Sequence, residues 1–101
     1  MTEFGLATHI LEKLISVFEC YDAIDKVVIY GSRANGTFSS SSDIDLAISA
    51  PKLEKRDFIK CCFEIEALPI IFKIDIVHLD HLSNQALIAR INAEGKIIYP
   101  S

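Results

Sequence analysis

Asp43–Ser49 constrains this chain more than any other segment. Its residues alternate strictly, with Asp43, Asp45 and Ala47 on one side and Ile44, Leu46 and Ile48 on the other. Successive side chains of a β-strand leave opposite faces, so the pattern predicts a strand buried on its Ile/Leu side. The acids are the anomaly. Asp is a poor strand residue, yet Asp43, Asp45 and, later, Asp75 all fall in strand patterns.

The rest of the chain arranges itself around that strand. Leu6, Ile10, Leu14, Val17, Phe18 and Tyr21 form the apolar stripe of an amphipathic helix over 4–21. Lys26–Tyr30 is short, β-branched and aromatic, and reads as a strand stopped by Gly31. Residues 31–42, GSRANGTFSSSS, read as a loop, flexible at Ser39–Ser42. Pro51 suits a helix start, and Lys52–Leu68 reads as the second main helix, with Leu53, Ile59, Cys62, Phe63 and Ala67 between charges. Its opening run, Glu54–Asp57, is a solvated helix start, and Pro69 ends the helix. Phe72–Leu79 is a strand, with Ile74 and Ile76 on one face and Lys73, Asp75 and Val77 on the other. Ser83 is the expected N-cap of a last helix with Leu87, Ile88 and Ile91 inward. Gly95 follows it, and Lys96–Tyr99 is a final strand stopped by Pro100. The expectation is one α+β domain over residues 1–101, a mixed β-sheet flanked by helices.

At 101 residues and 50% hydrophobic, the chain has room for one core and no large enclosed cleft. A net charge of −4 argues against non-specific nucleic-acid binding, which needs Lys and Arg to neutralise phosphates. No apolar stretch approaches the ~20 residues that cross a bilayer. Glu3 stands where a secretory signal carries positive charge, so no signal peptide is expected. Cys20, Cys61 and Cys62 have no metal spacing and read as reduced thiols in the core of a cytoplasmic protein. His9, His78 and His81 show no ligand spacing either, and His78 ends a strand. Tyr21, Tyr30 and Tyr99 read as core or edge aromatics rather than a platform for a base.

The aspartates carry the chemistry. Asp43 and Asp45 leave the same face, with Cα atoms about 6.5 Å apart at ~3.3 Å rise per residue. A neighbouring Phe72–Leu79 strand would bring Asp75 to them. Three crowded carboxylates repel one another, and a divalent cation offsets that repulsion. Mg²⁺ prefers such oxygens, and two ions can clamp an in-line phosphoryl or nucleotidyl displacement. The loop supplies the other half. Gly31 lets a phosphate approach the backbone, Ser32 and nearby N–H groups can donate to its oxygens, and Arg33 could add a charge-assisted contact. No Gly-Lys-Ser/Thr follows, so this is not a Walker loop.

Gly31-Ser32, ten residues, then Asp43-Ile44-Asp45 resembles the signature of the DNA polymerase beta type nucleotidyltransferase superfamily. Gly-Ser and Asp-x-Asp at one fixed spacing arise by chance in a chain this long roughly once in a thousand. The fuller string GSRANG…SSDIDLAI, with KIDIV about thirty residues on, is similar to the minimal nucleotidyltransferases, over roughly Lys26–Tyr99. Asn35 stands where close relatives often carry a basic residue.

The resemblance implies that Gly31 and Ser32, with Arg33, hold the phosphates of ATP. It implies that Asp43 and Asp45 bind two Mg²⁺ ions, and that Asp75 completes a metal site and helps deprotonate the attacking hydroxyl. It further implies AMP transfer to a hydroxyl, in the toxin–antitoxin case to a tyrosine of a HEPN-type helical partner, in a homo- or hetero-oligomer. Two other functions fit the same residues. One is adenylylation of a small molecule, as in aminoglycoside-modifying relatives, which carry an additional substrate domain. The other is a non-catalytic antitoxin module acting by contact alone.

Overall fold

The computed structural model describes residues 2–100; Met1 and Ser101, the ends of the expected domain, lie outside the described residues. In chain order the elements are β1 (Thr2–Glu3), β2 (Leu6–Ala7), α1 (Thr8–Phe18), β3 (Lys26–Tyr30), α2 (Ser32–Asn35), β4 (Ile44–Ser49), α3 (Lys55–Glu66), β5 (Ile74–His78), a 3-10 turn (Leu79–His81), α4 (Gln85–Glu94) and β6 (Lys96–Tyr99). Four strands form one mixed sheet in the order β5-β4-β3-β6. The β3–β4 and β3–β6 pairs are antiparallel, and β4–β5 is parallel. This is the α+β architecture expected of the sequence.

The alternation of β4 places the two faces. Ile44, Leu46 and Ile48 are fully buried in the larger core, with Leu14 and Phe18 of α1 and Cys61 and Ile65 of α3. Ala47 points the other way, into a smaller core with Val28, Tyr30 and Ile91. Helix α4 therefore covers the second face, through Ile91 and Leu87. Asp43 lies one residue ahead of β4, not within it.

Several local expectations are corrected by packing. The first helix begins at Thr8 rather than residue 4. Phe4 (φ 58°) and Gly5 (φ 70°) reverse the chain, so Thr2–Glu3 pairs antiparallel with Leu6–Ala7. Positive φ at both residues of a two-residue loop matches the twist of a hairpin. The Phe38 ring lies directly against Gly5, where a Cβ would overlap it. Leu6 is nonetheless fully buried, so periodicity found a core residue that is not helical.

Helix α3 starts at Lys55, four residues after Pro51, and buries a different stripe from the one expected. Cys61 and Ile65 are inside, with Phe58 and Leu68 packed against the core, while Ile59 and Phe63 are 44% and 67% exposed. The helix carries two apolar stripes, and contact with α1 selects one. The Tyr21 hydroxyl donates to Glu64 and ties the end of α1 to α3.

Of the cysteines, Cys61 is the core residue; Cys62 is half-buried and Cys20 exposed. Burial pushes the Cys61 thiol up to about 12, which makes it an inert apolar filler. At α4 the cap is Asn84 rather than Ser83: its side chain accepts from Leu87 N at 3.1 Å. Gly95 follows α4 as expected, in an extended conformation that leads into β6. Among the described residues no helix is long and apolar enough to cross a membrane.

Truncating Leu46, at the centre of the larger core, should cost about 2–5 kcal/mol, the range for a buried Leu→Ala change. Urea unfolding of Leu46→Ala followed by circular dichroism measures it.

Candidate active site

The site lies where β3 ends and β4 and β5 begin. Tyr30 pairs with Asp45 across β3–β4, and Asp45 pairs with Asp75 across β4–β5. Residues in register on adjacent strands share a face, so these three side chains form one row on the α4 side of the sheet. The expected meeting of Asp45 with Asp75 is thus set by parallel register. Asp43 stands exposed at the entrance to β4.

The chain leaves the row at Gly31. Its backbone (φ 76°, ψ −153°) lies in a region open essentially to Gly alone. A Cβ there would sit 2.6 Å from Asp45 Oδ2 and 3.6 Å from Arg90 Nη2. The space left by the missing side chain is bounded by a carboxylate and a guanidinium.

Beyond Gly31 the expected loop opens with the short helix α2. Gly31 O accepts from Ala34 N and Asn35 N, and Ser32 O from Gly36 N and Thr37 N. The Ser32 side chain is half-buried, and its hydroxyl has no hydrogen-bond partner among the described residues. Asn35 Oδ1 accepts from Thr37 N at 3.0 Å. The Ser39–Ser42 segment closes as a turn, with Ser42 N on Ser39 O and Ser39 N on Ser42 Oγ.

Arg33 departs from its expected role. It is 2% exposed and faces inward, away from solvent where a phosphate would bind. Its Nε and Nη2 donate to Ser42 O, and Nη1 donates to Phe4 O. Its guanidinium lies 4.6 Å from the Phe72 ring centre and 5.3 Å from that of Phe38. The cation is spent on pinning the loop from within. Burial holds its pKa below the usual Arg range.

The carboxylate row is electrostatically strained. Burial pushes the Asp45 carboxyl up, and the negative charges of Asp75 and then Asp43 push it further; Arg90 and Lys73 oppose. The Tyr30 phenol is raised by burial and by Asp45 and Asp75. Lys73 Nζ stands 3.9 Å from Asp75 Oδ1; the Lys73 side chain is largely exposed and that of Asp75 about half-buried.

Ionised carboxylates offer hard oxygen acceptors, and three with too little compensating charge suit Mg²⁺. Among the described residues no three His, Cys, Asp or Glu side chains already stand as a set able to hold an ion. By donor chemistry and uncompensated charge the residues still fit a divalent cation.

Two residues of the site have no motif to announce them. Tyr30 directly precedes Gly31 but reads as a core aromatic. Arg90 is distant in sequence and reaches the site only because α4 packs on that face. The histidines lie elsewhere. His78 ends β5 as expected, its Nε2 2.8 Å from Ala50 O and its ring stacked on Phe58. Asp80 accepts from Ala50 N at 2.6 Å.

The model of the Polymerase beta, Nucleotidyltransferase family matches residues 12–101, and the chain belongs to this nucleotidyltransferase family. No curated protein matches the chain. Among solved structures it is similar to a toxin–antitoxin crystallised with AMP-PNP, at 22% identity and TM-score 0.72, over 90% of this chain and 73% of that one. It is also similar to the toxin–antitoxin MntA-HpeT in a mutant with two Asp-to-Glu changes, at 17% identity and TM-score 0.69, over the same shares. At these identities the likeness is one of fold.

Gly31→Ala should cost roughly 1–3 kcal/mol, the scale of a side chain forced into such a conformation, measured by urea unfolding. Asp45 gives a pH-dependent test. Its folded pKa is raised, so the folded state holds the proton more tightly than the unfolded state. The resulting loss of stability sets in as pH rises above the unfolded value of about 3.9 and is complete above the folded one. Asp45→Asn should therefore melt at a higher temperature than the wild type at pH 7, with the gap closing below about pH 4. Melting curves across pH check the sign.

Proposed function

We propose that this chain transfers AMP from ATP to a hydroxyl group in a Mg²⁺-dependent reaction, and that the acceptor is a tyrosine of a HEPN-type toxin for which it is the cytoplasmic antitoxin. The observation that carries the chemistry is the register pair Asp45–Asp75 beside Gly31. Family membership supports nucleotidyl transfer. The antitoxin role rests on likeness to toxin–antitoxin structures, one of them with AMP-PNP. In the other, the two Asp-to-Glu changes are two positions apart, the spacing of Asp43 and Asp45.

On this reading Gly31 and Ser32 hold the β- and γ-phosphates, the Ser32 hydroxyl donating to a phosphate oxygen. Asp43, Asp45 and Asp75 would hold two Mg²⁺ ions, which when bound neutralise the carboxylates and the charge growing on the phosphates. Asp75, on edge strand β5, accepts the proton of the acceptor hydroxyl. The acceptor oxygen forms its bond to the α-phosphorus as the α–β bridging bond breaks, and pyrophosphate leaves. The protein contributes position and charge, not a covalent intermediate.

The test is transfer of label from α-labelled ATP to a co-expressed HEPN-type partner, with mass spectrometry for added AMP. Asp43→Asn and Asp75→Asn should each lose at least ~100-fold, the scale of a lost transition-state contact, and EDTA should abolish labelling. Undiminished labelling by both variants overturns the catalytic assignment. If Asp43→Asn still neutralises the toxin fully, contact suffices and the chain is a binding module. Label on an aminoglycoside instead of the protein would make it a small-molecule enzyme.

A further inference from the structure

We propose that Arg90 of α4 is a phosphate-binding residue of this site, held beside Gly31 by Glu94; this rests on the nucleotidyltransferase reading above and deepens it. A triphosphate must settle next to an acidic row that already lacks positive charge. Arg33 cannot supply the cation, because its donors are committed inside the fold to Ser42 O and Phe4 O. Lys73 lies just ahead of the outer strand β5, paired with Asp75. Arg90 remains, and its Nη2 borders the space that Gly31 leaves open, 3.6 Å from where a Cβ would stand.

The tether explains how a half-exposed arginine is kept there. Arg90 Nε lies 3.6 Å from Glu94 Oε2, one helical turn on. The other oxygen of the same carboxylate, Oε1, accepts from Asn35 Nδ2 at 3.1 Å. Glu94 thus links the end of α2 to Arg90 and holds the guanidinium over the loop. An exposed i, i+4 ion pair adds little stability by itself, so the arrangement serves position more than folding. A guanidinium presents a planar fork of donors suited to phosphate oxygens. Nε faces Glu94, and Nη2 is left toward the space beside Gly31.

Substitutions at both residues test the pair. Arg90→Ala should weaken AMP-PNP binding in Mg²⁺ about tenfold, the scale of a charge-assisted contact, while changing AMP binding less than twofold. Arg90→Lys should fall between. Glu94→Gln keeps an acceptor for Asn35 but loses the ion pair that holds the guanidinium over the loop, and should weaken AMP-PNP binding severalfold. The Arg90 variants should melt within a degree or two of wild type. Isothermal titration calorimetry with AMP-PNP and AMP reads these outcomes.

Equal AMP-PNP affinity for Arg90→Ala and wild type overturns this inference alone. So does an equal loss for AMP and AMP-PNP, which would mark general damage to the site. A wild-type chain that binds neither nucleotide overturns the nucleotidyltransferase reading and this one with it.

Discussion

The buried guanidinium of Arg33 is the tie on which the site's geometry depends. It joins three segments distant in sequence: the hairpin turn through Phe4 O, the approach to β4 through Ser42 O, and the approach to β5 through the face of Phe72. A buried cation is costly unless its donors are satisfied, and here carbonyls and ring faces do so, with no carboxylate partner among the described residues. The loop between Gly31 and Asp43 is therefore fastened from beneath. Gly31, at its start, lies against the Asp45 carboxylate.

The second constraint is the tension between the two faces of β4. Its Ile/Leu face anchors the larger core, and this apolar burial fixes the strand's register against both neighbours. Register in turn forces Asp45 between Tyr30 and Asp75, where burial and like charge both disfavour ionisation. A stretch that opposes stability is held in place by a core that does not need it. Strain of this kind concentrates at functional sites. Helix α4 covers only part of this face, and its Arg90 brings positive charge back toward the row.

Much of this was legible in the chain, and the failures are specific. Alternation in Asp43–Ser49 and the third aspartate pointed to the carboxylate row, because a period of two survives in any half-buried strand. Periodicity locates helix α3 but not its buried stripe, because Ile59 and Phe63 match Phe58 and Ile65 in hydrophobicity and spacing alone cannot choose between them. The hairpin at Phe4–Gly5 was hidden because Leu6 continues the apolar stripe of α1. Arg33 looked like a phosphate ligand because a basic residue in a Gly/Ser loop is usually solvated. Its burial depends on Phe38 and Phe72, whose proximity no local pattern encodes.

The division follows from the range of the interactions. Local sequence encodes the strand with its two unlike faces, the Gly-Ser loop before it, the mixed α+β order and the three aspartates. Each of these is written in contacts between near neighbours along the chain or in a short motif. Packing between elements sets Asp45 and Asp75 in register, turns Arg33 inward, and brings Arg90 and Glu94 to the loop from α4. Those outcomes depend on which elements pack against which, and side chains far apart in sequence meet only after the cores have chosen their partners.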